Sequence, residues 1–267
     1  MKKKITIALL ISLLLGGGVL AYKVFRHERG QNDTINVLRT RVEFLSQKVD
    51  SLYDNNAIKF IDQVGDGFDY LAIGNSILYH DIGDYWWGEW GMSASAPELD
   101  YYHRIIAHLE GKHGTVNSAH FNYGIWEMQG HDREETYTFL DRWLRDSIDL
   151  ITIQLSENAY DLSTFDSDLA ALIKHIQALA PSAQIIVIGD FWDTKKNSIK
   201  NSVCSEMNIG FADTTEILGN KDYHAGMDAI VGGNDGKEHH INHPGVAAHP
   251  SDKGMEWIAD KVIGLIR

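Results

Sequence analysis

Three short polar clusters interrupt an otherwise apolar and helical pattern, and one histidine stands far from all of them. Gly74-Asn75-Ser76 follows an apolar run ending at Ile73, Asn122-Tyr123-Gly124 follows a second run, and Ser156-Glu157-Asn158 follows a third. His249 lies in Ala247-Ala248-His249-Pro250-Ser251, just before the last amphipathic stretch. Ser76 is either an ordinary turn serine or a nucleophile raised on the end of a strand. A Gly-Asn-Ser turn alone is most often just a turn. What separates the readings is the order of the blocks: serine after the first strand, asparagine after the third, histidine before the terminal helix.

The elements that must position these residues alternate in type. Asp69–Ile73 reads as a strand and Pro97–Leu109 as a helix, with Leu99, Ile105, Ile106 and Leu109 on its apolar side. Val116–Asn122 is a weaker strand, Glu134–Arg145 a helix, Leu150–Leu155 a buried strand and Asp166–Leu179 a helix. Gln184–Ile188 is a strand with almost no polar residue, Thr194–Met207 a helix and Gly210–Ala212 a last short strand. Ser251–Ile266 closes the chain as a helix, with Ser251 as its N-cap and Trp257, Ile258, Val262 and Leu265 inward. Strands apolar on both faces and alternating with helices mean a parallel sheet covered on both sides. Ligands of such sheets sit beyond the carboxyl ends of the strands, where all three clusters fall.

Taken together the blocks resemble those of the SGNH, or GDSL-like, hydrolases, over residues 68–267. The resemblance implies an α/β fold of three layers, α/β/α, with a flavodoxin-like parallel sheet. It implies Ser76 as nucleophile, with His249 as the general base that deprotonates it. The N–H groups of Ser76 and Gly124, with the side-chain amide of Asn158, would form the oxyanion hole. Donors aimed at charge that appears only in the transition state are worth about 3–4 kcal/mol each.

Two departures from the family pattern stand out. Ser156 occupies the place of a family glycine, and Val246 stands three residues before the histidine, where the family has its acid. An imidazole without that carboxylate lacks its usual orienting partner. Either the site is a Ser–His dyad oriented by a backbone carbonyl, or Asp235 or Glu238 in the preceding loop substitutes, or the site is degenerate.

Residues 239–250 also hold His239, His240 and His243, and His243-Pro244 repeats the His-Pro dipeptide. His249 is preferred because the last helix starts immediately after it. His239 and His243 would chelate a metal only from a helix, which Asn242 and Pro244 oppose, so no metal or cofactor is expected. Trp86, Trp87 and Trp90 crowd the segment behind Ser76. At least one must pack inward; the others, with Trp126 and Trp192, are expected to line the cleft, where flat aromatic faces suit sugar rings.

Composition bounds the partners. The chain holds 24 basic and 37 acidic residues. Residues 1–29 carry six of the basic and one of the acidic, leaving 18 against 36. That balance excludes a nucleic-acid partner, whose backbone needs a basic footprint. Cys204 is the only cysteine, so an intramolecular disulfide is ruled out. Lys2, Lys3 and Lys4 precede the uncharged run Ile5–Tyr22, which is long enough for a membrane anchor. The lysines favour a cytoplasmic N-terminus and an extracytoplasmic remainder; cleavage as a signal peptide near Ala21 is the alternative. Ile35, Leu38, Val42, Leu45, Val49 and Leu52 then repeat at heptad spacing, either as the seam of a parallel two-stranded coil joining a homodimer or as an amphipathic helix on the domain's own core.

The expected organisation is an anchor over residues 1–29, an amphipathic stalk over 30–56 and a catalytic domain over 57–267. The expected activity is an extracytoplasmic serine esterase removing acyl groups, acetyl first among them, from a carbohydrate. Gly-Asn-Ser-Ile followed by Trp-Trp-Gly-Glu-Trp-Gly-Met resembles SGNH proteins associated with polysaccharide building. The alternatives are an O-acetyltransferase using the same acyl-enzyme and a non-catalytic glycan-binding scaffold.

Overall fold

The computed structural model describes residues 56–267, so the expected anchor and all of the expected stalk but its last residue, Asn56, lie outside the described residues. Among the described residues no helix is long and apolar enough to cross a membrane. In chain order the principal elements are α1 (Asn56–Gln63), β1 (Phe68–Gly74), α2 (Tyr101–His113), β2 (Val116–Asn122), α3 (Gly124–Met128), α4 (Tyr137–Leu140), β3 (Leu150–Ile153), α5 (Phe165–Leu179), β4 (Gln184–Ile188), α6 (Thr194–Met207), β5 (Gly210–Ala212), β6 (Ile230–Gly232), β7 (Glu238–His240), α7 (Pro244–Ala247) and α8 (Asp252–Ile263).

Five strands form one parallel sheet in the order β2-β1-β3-β4-β5, the doubly wound arrangement of flavodoxin-like folds. β1 and β3 are buried on both faces, which is why, apart from Phe68, Asp69 and Gly74, they carry only Tyr, Leu, Ala, Ile and Thr. Alternate side chains of β1 serve opposite layers. Tyr70 and Ala72 join the cluster built by Ile105 and Leu109 of α2 and by Met255, Ile258 and Val262 of α8. On α5, the i, i+3, i+4 series Leu169, Leu172, Ile173 and Ile176 is buried, the stripe that a sheet-covering helix requires. β6 and β7 form a separate antiparallel hairpin.

Three expected elements differ. The helix anticipated from Pro97 divides: a 3₁₀ turn spans Pro97–Leu99, and α2 starts after Asp100, whose carboxylate caps it through the N–H of His103 at 2.8 Å. The helix anticipated over Glu134–Arg145 is broken into 3₁₀ turns on either side of the single turn α4. There Thr136 bonds Tyr123 and the carbonyl of Arg133, and Arg133 is buried against Trp126, so side-chain bonds replace the helical ladder. The terminal helix ends at Ile263 rather than Ile266, with Trp257 and Leu265 half-buried.

Candidate active site

Ser76 stands two residues beyond the end of β1, in a turn whose shape is forced by packing. A Cβ on Gly74 would lie 2.7 Å from the Cβ of Leu78, so only glycine lets the chain turn back on itself here. The carbonyl of Asn75 accepts from the N–H groups of Leu78 and Tyr79, both at 3.0 Å. Ser76 is half-buried, and its N–H donates to no acceptor among the described residues.

His249 approaches from the other end of the chain. Its N–H donates to the carbonyl of Val246 at 2.9 Å, and its own carbonyl accepts from Ala225 at 3.0 Å. Ser93, in the long segment behind Ser76, donates to the Val246 carbonyl at 2.6 Å and ties the two loops together. The ring Nε2 lies 2.8 Å from Ser76 Oγ, and Nδ1 lies 2.7 Å from the Gly245 carbonyl. A carbonyl only accepts, so Nδ1 carries the hydrogen and Nε2 presents its lone pair to the serine. Burial pushes the imidazole down to about 4; the bond to Gly245 works against this, and His80, His224 and His243 nearby add to it. The ring is therefore neutral above that pH, the state in which it can take a proton.

Neither acid proposed as orienter reaches His249. Asp235 bonds His239 Nε2 at 3.0 Å and the N–H of Lys237 at 3.1 Å within the β6–β7 turn, and Glu238 is exposed on β7. Gly245, inside the short helix α7, supplies the partner instead. The Val246 side chain is buried in the apolar cluster, so the position that would carry the family acid faces the core.

The other predicted site residues divide. Gly124 turns its N–H onto Asn122 Oδ1 at 3.1 Å, an Asx-type turn that opens α3, so this donor is engaged where it was expected to be free. Asn158 gives one of its amide N–H bonds to Glu127 Oε2 at 2.7 Å. Trp86, Trp90 and Trp126 correct the cleft-lining expectation: all three are core residues, with Trp86 and Trp90 packed edge to face and Trp126 under the guanidinium of Arg133. The segment behind Ser76 is long enough to need a core of its own, and these indoles fill it. Trp87 is half-buried, stacked on His239 at 4.4 Å. Trp192 is the tryptophan beside the dyad: its indole edges the His249 ring at 5.2 Å, its Nε1 donates to the Ala248 carbonyl at 3.0 Å, and it is 38% exposed.

Beneath the dyad lies a buried polar network that joins Asn75, Ser156 and Glu157 of the polar clusters to Glu127, Asp190, Lys196 and Lys200, which no motif singled out. Asn75 donates both amide hydrogens, to Glu127 Oε1 at 2.9 Å and to Glu157 Oε2 at 2.8 Å, and accepts from Ile77 N–H at 3.1 Å. Asp190, fully buried, accepts from Ser156 Oγ and from the N–H groups of Trp192 and Asp193, all at 2.7 Å. Lys196 donates to the Ser156 carbonyl at 2.8 Å, and Lys200 to the Ile188 carbonyl at 2.6 Å, which places two lysines beside the three buried carboxyl groups of Glu127, Glu157 and Asp190. Burial, then the neighbouring Asp190, pushes Glu157 up to about 8, with Lys200 opposing and Glu127 adding to the rise. Burial also raises Glu127, against the bonds it accepts. Ser156 itself has φ +147°, a backbone state that favours glycine. Glu157 stood in the polar cluster after the third strand; Glu127 and Asp190 were not singled out, although Asp190 lies just past β4, where ligands of such sheets sit.

No family model matches the sequence, and no curated protein matches it. Solved structures do: lipases and esterases, one of them described as a putative GDSL-like lipase, are among those the chain is similar to. Phospholipase A1 from Streptomyces albidoflavus NA297 is similar at 14% identity, over 74% of this chain and 99% of that one, with a TM-score of 0.43. A variant of an acetyl xylan esterase from Geobacillus stearothermophilus is similar at 17% identity, over 76% and 96%, with a TM-score of 0.46. A two-domain esterase active on acetylated mannans is similar at 14% identity, over 79% of this chain and 52% of that one, with a TM-score of 0.47.

Proposed function

We propose that this chain is a serine esterase that removes acyl groups, acetyl first among them, from a carbohydrate, and that residues 1–29 hold it at the outer face of a membrane. The observation that carries the reading is the 2.8 Å approach of Ser76 Oγ to His249 Nε2, with Nδ1 held by a backbone carbonyl. In the reaction Ser76 Oγ attacks the ester carbonyl while its proton passes to Nε2. The tetrahedral oxyanion is met by the unengaged N–H of Ser76 and by the Asn158 amide. Collapse breaks the bond to the sugar oxygen, which leaves with the proton from His249. Water then repeats the sequence on the acyl-enzyme, releasing the acid and restoring the serine.

The dyad form follows from the neutral orienter. The Gly245 carbonyl fixes the tautomer and ring angle but brings no negative charge to steady the imidazolium that forms in each transition state. Trp192 supports a carbohydrate substrate, because it offers a partly exposed aromatic face beside the histidine. The uncharged run Ile5–Tyr22 between basic flanks supports the anchor.

The test is acetate release by the full chain from an activated acetyl ester and from acetylated glycans, beside Ser76→Ala. Wild-type release with loss in the variant is expected. Equal release from both would end the assignment. Release that requires an added acceptor glycan would replace hydrolysis with transfer.

A further inference from the structure

The fully buried Glu127 plays no part in the reaction as written, yet it touches every segment that meets at the oxyanion. It lies on α3, three residues after Gly124. Its Oε1 accepts from the amide of Asn75, the neighbour of Ser76, and from the N–H of Ser156. Its Oε2 accepts from the amide of Asn158 at 2.7 Å. One side chain from behind β2 thus joins the turn after β1 to the loop after β3.

We infer that Glu127 is a positioning residue that sets the oxyanion hole by fixing which face of the Asn158 amide, and which of its hydrogens, the site presents. An amide group has two faces: a carbonyl oxygen that accepts and a nitrogen with two hydrogens about 120° apart. A carboxylate that only accepts makes the choice between them. It draws the nitrogen to itself, since the alternative flip would set Oδ1 against Oε2. Once one N–H is committed to Glu127, planarity fixes the direction of the other. That second N–H has no acceptor among the described residues.

The same carboxylate explains why residue 75 is an amide. Asn75 faces Glu127 and Glu157 at once and gives one hydrogen to each. An aspartate there would set a carboxylate against Glu127 with no hydrogen to give to either glutamate. The nucleophile turn and the oxyanion amide are therefore referenced to one buried group, which preserves their spacing when a substrate binds.

This inference rests on the esterase reading, and its test separates the two. The full-length wild type, Glu127→Gln, Asn158→Ala and the double variant are compared in two ways. One is steady-state hydrolysis of p-nitrophenyl acetate; the other is the rate at which a fluorophosphonate labels Ser76. Glutamine can turn its own NH₂ toward Asn158 and release the flip, so Glu127→Gln should lower kcat and the labelling rate by about 30- to 100-fold, with KM within about threefold, as for loss of most of one oxyanion donor. On the Asn158→Ala background the same change should add less than about threefold, because the amide it acts through is gone. Full additivity, or a Glu127→Gln enzyme within threefold of wild type, would overturn the inference while leaving the esterase reading intact. A wild type that neither hydrolyses the ester nor takes the label would overturn both. Should Glu127→Gln fail to fold, Glu127→Asp keeps the buried charge but is one methylene too short to hold both amides. A drop of at least tenfold in its kcat at constant KM is then expected, and none would refute the role.

Discussion

His249 should make this protein lose stability on acidification in a way that a single substitution removes. Its imidazole falls from the ordinary 6.5 to about 4 in the folded protein, chiefly through burial. Between those values the unfolded chain takes up a proton at this position and the folded chain does not, so stability declines as pH falls. The contribution is complete above pH 6.5. Linkage with these two values places the loss at about 2 kcal/mol by pH 5 and about 3 kcal/mol by pH 4. His249→Gln retains a polar side chain beside Ser76 but cannot titrate. Every other acid and base is common to the two proteins and cancels in their difference. Urea unfolding of both at pH 7, 6, 5 and 4 should therefore show the wild type losing about 3 kcal/mol relative to the variant across that range. The acid limb of kcat/KM should mirror it, with an apparent pKa near 4 instead of 6.5. A stability difference that stays flat with pH, together with an acid limb at 6.5, would show that His249 is solvated and refute the buried dyad.

Three further outcomes follow from the surrounding residues. Ser156→Ala keeps the positive φ but strands Asp190 without its hydroxyl donor, whereas Ser156→Gly also relieves the backbone. Melting curves should therefore place Ala about 1–3 kcal/mol below Gly, and equal losses would deny the strain. Val246→Asp should lower stability by several kcal/mol without raising kcat, because it buries a carboxylate in the apolar cluster instead of aiming one at His249; a gain in kcat would show that the side chain reaches the imidazole. Glu157, held up at about 8 against the ordinary 4.5, keeps a proton in the folded state that the unfolded chain has lost, so its contribution to stability falls as pH rises from 4.5 through 8. The gap between wild type and Glu157→Gln should therefore shift in the variant's favour from pH 5 to pH 9, and parallel unfolding curves would contradict it.

What the sequence reveals here depends on whether a feature is local. Gln184–Ile188 is a strand as read, because an unbroken apolar run with turn residues at its ends has few other uses; Val116–Asn122, the weaker reading with Asn117, Ser118 and His120 inside it, is a strand as well. The terminal helix starts where Ser251 predicts, since a cap is written into adjacent residues. Trp86, Trp90 and Trp126 depart from the expectation for the opposite reason: density in a loop looks like a binding surface unless the loop's own packing is known, and Trp86 has no exposed area at all. The orienter was legible only as one of several alternatives. A backbone carbonyl has no letter in a sequence, and Gly245 leaves no more trace than any glycine. The carboxyl groups under the site come from segments 30 to 63 residues apart, and no spacing rule joins Glu127, Glu157 and Asp190 before the sheet sets β2, β1, β3 and β4 in that order.

The most direct test of the central claim is to treat the full chain with a fluorophosphonate at pH 7 and find the modified residue by peptide mass spectrometry. The account predicts one adduct, on Ser76, its formation slowed strongly in His249→Gln and absent in Ser76→Ala. Labelling at another serine, or labelling of Ser76 that is indifferent to His249, would contradict it.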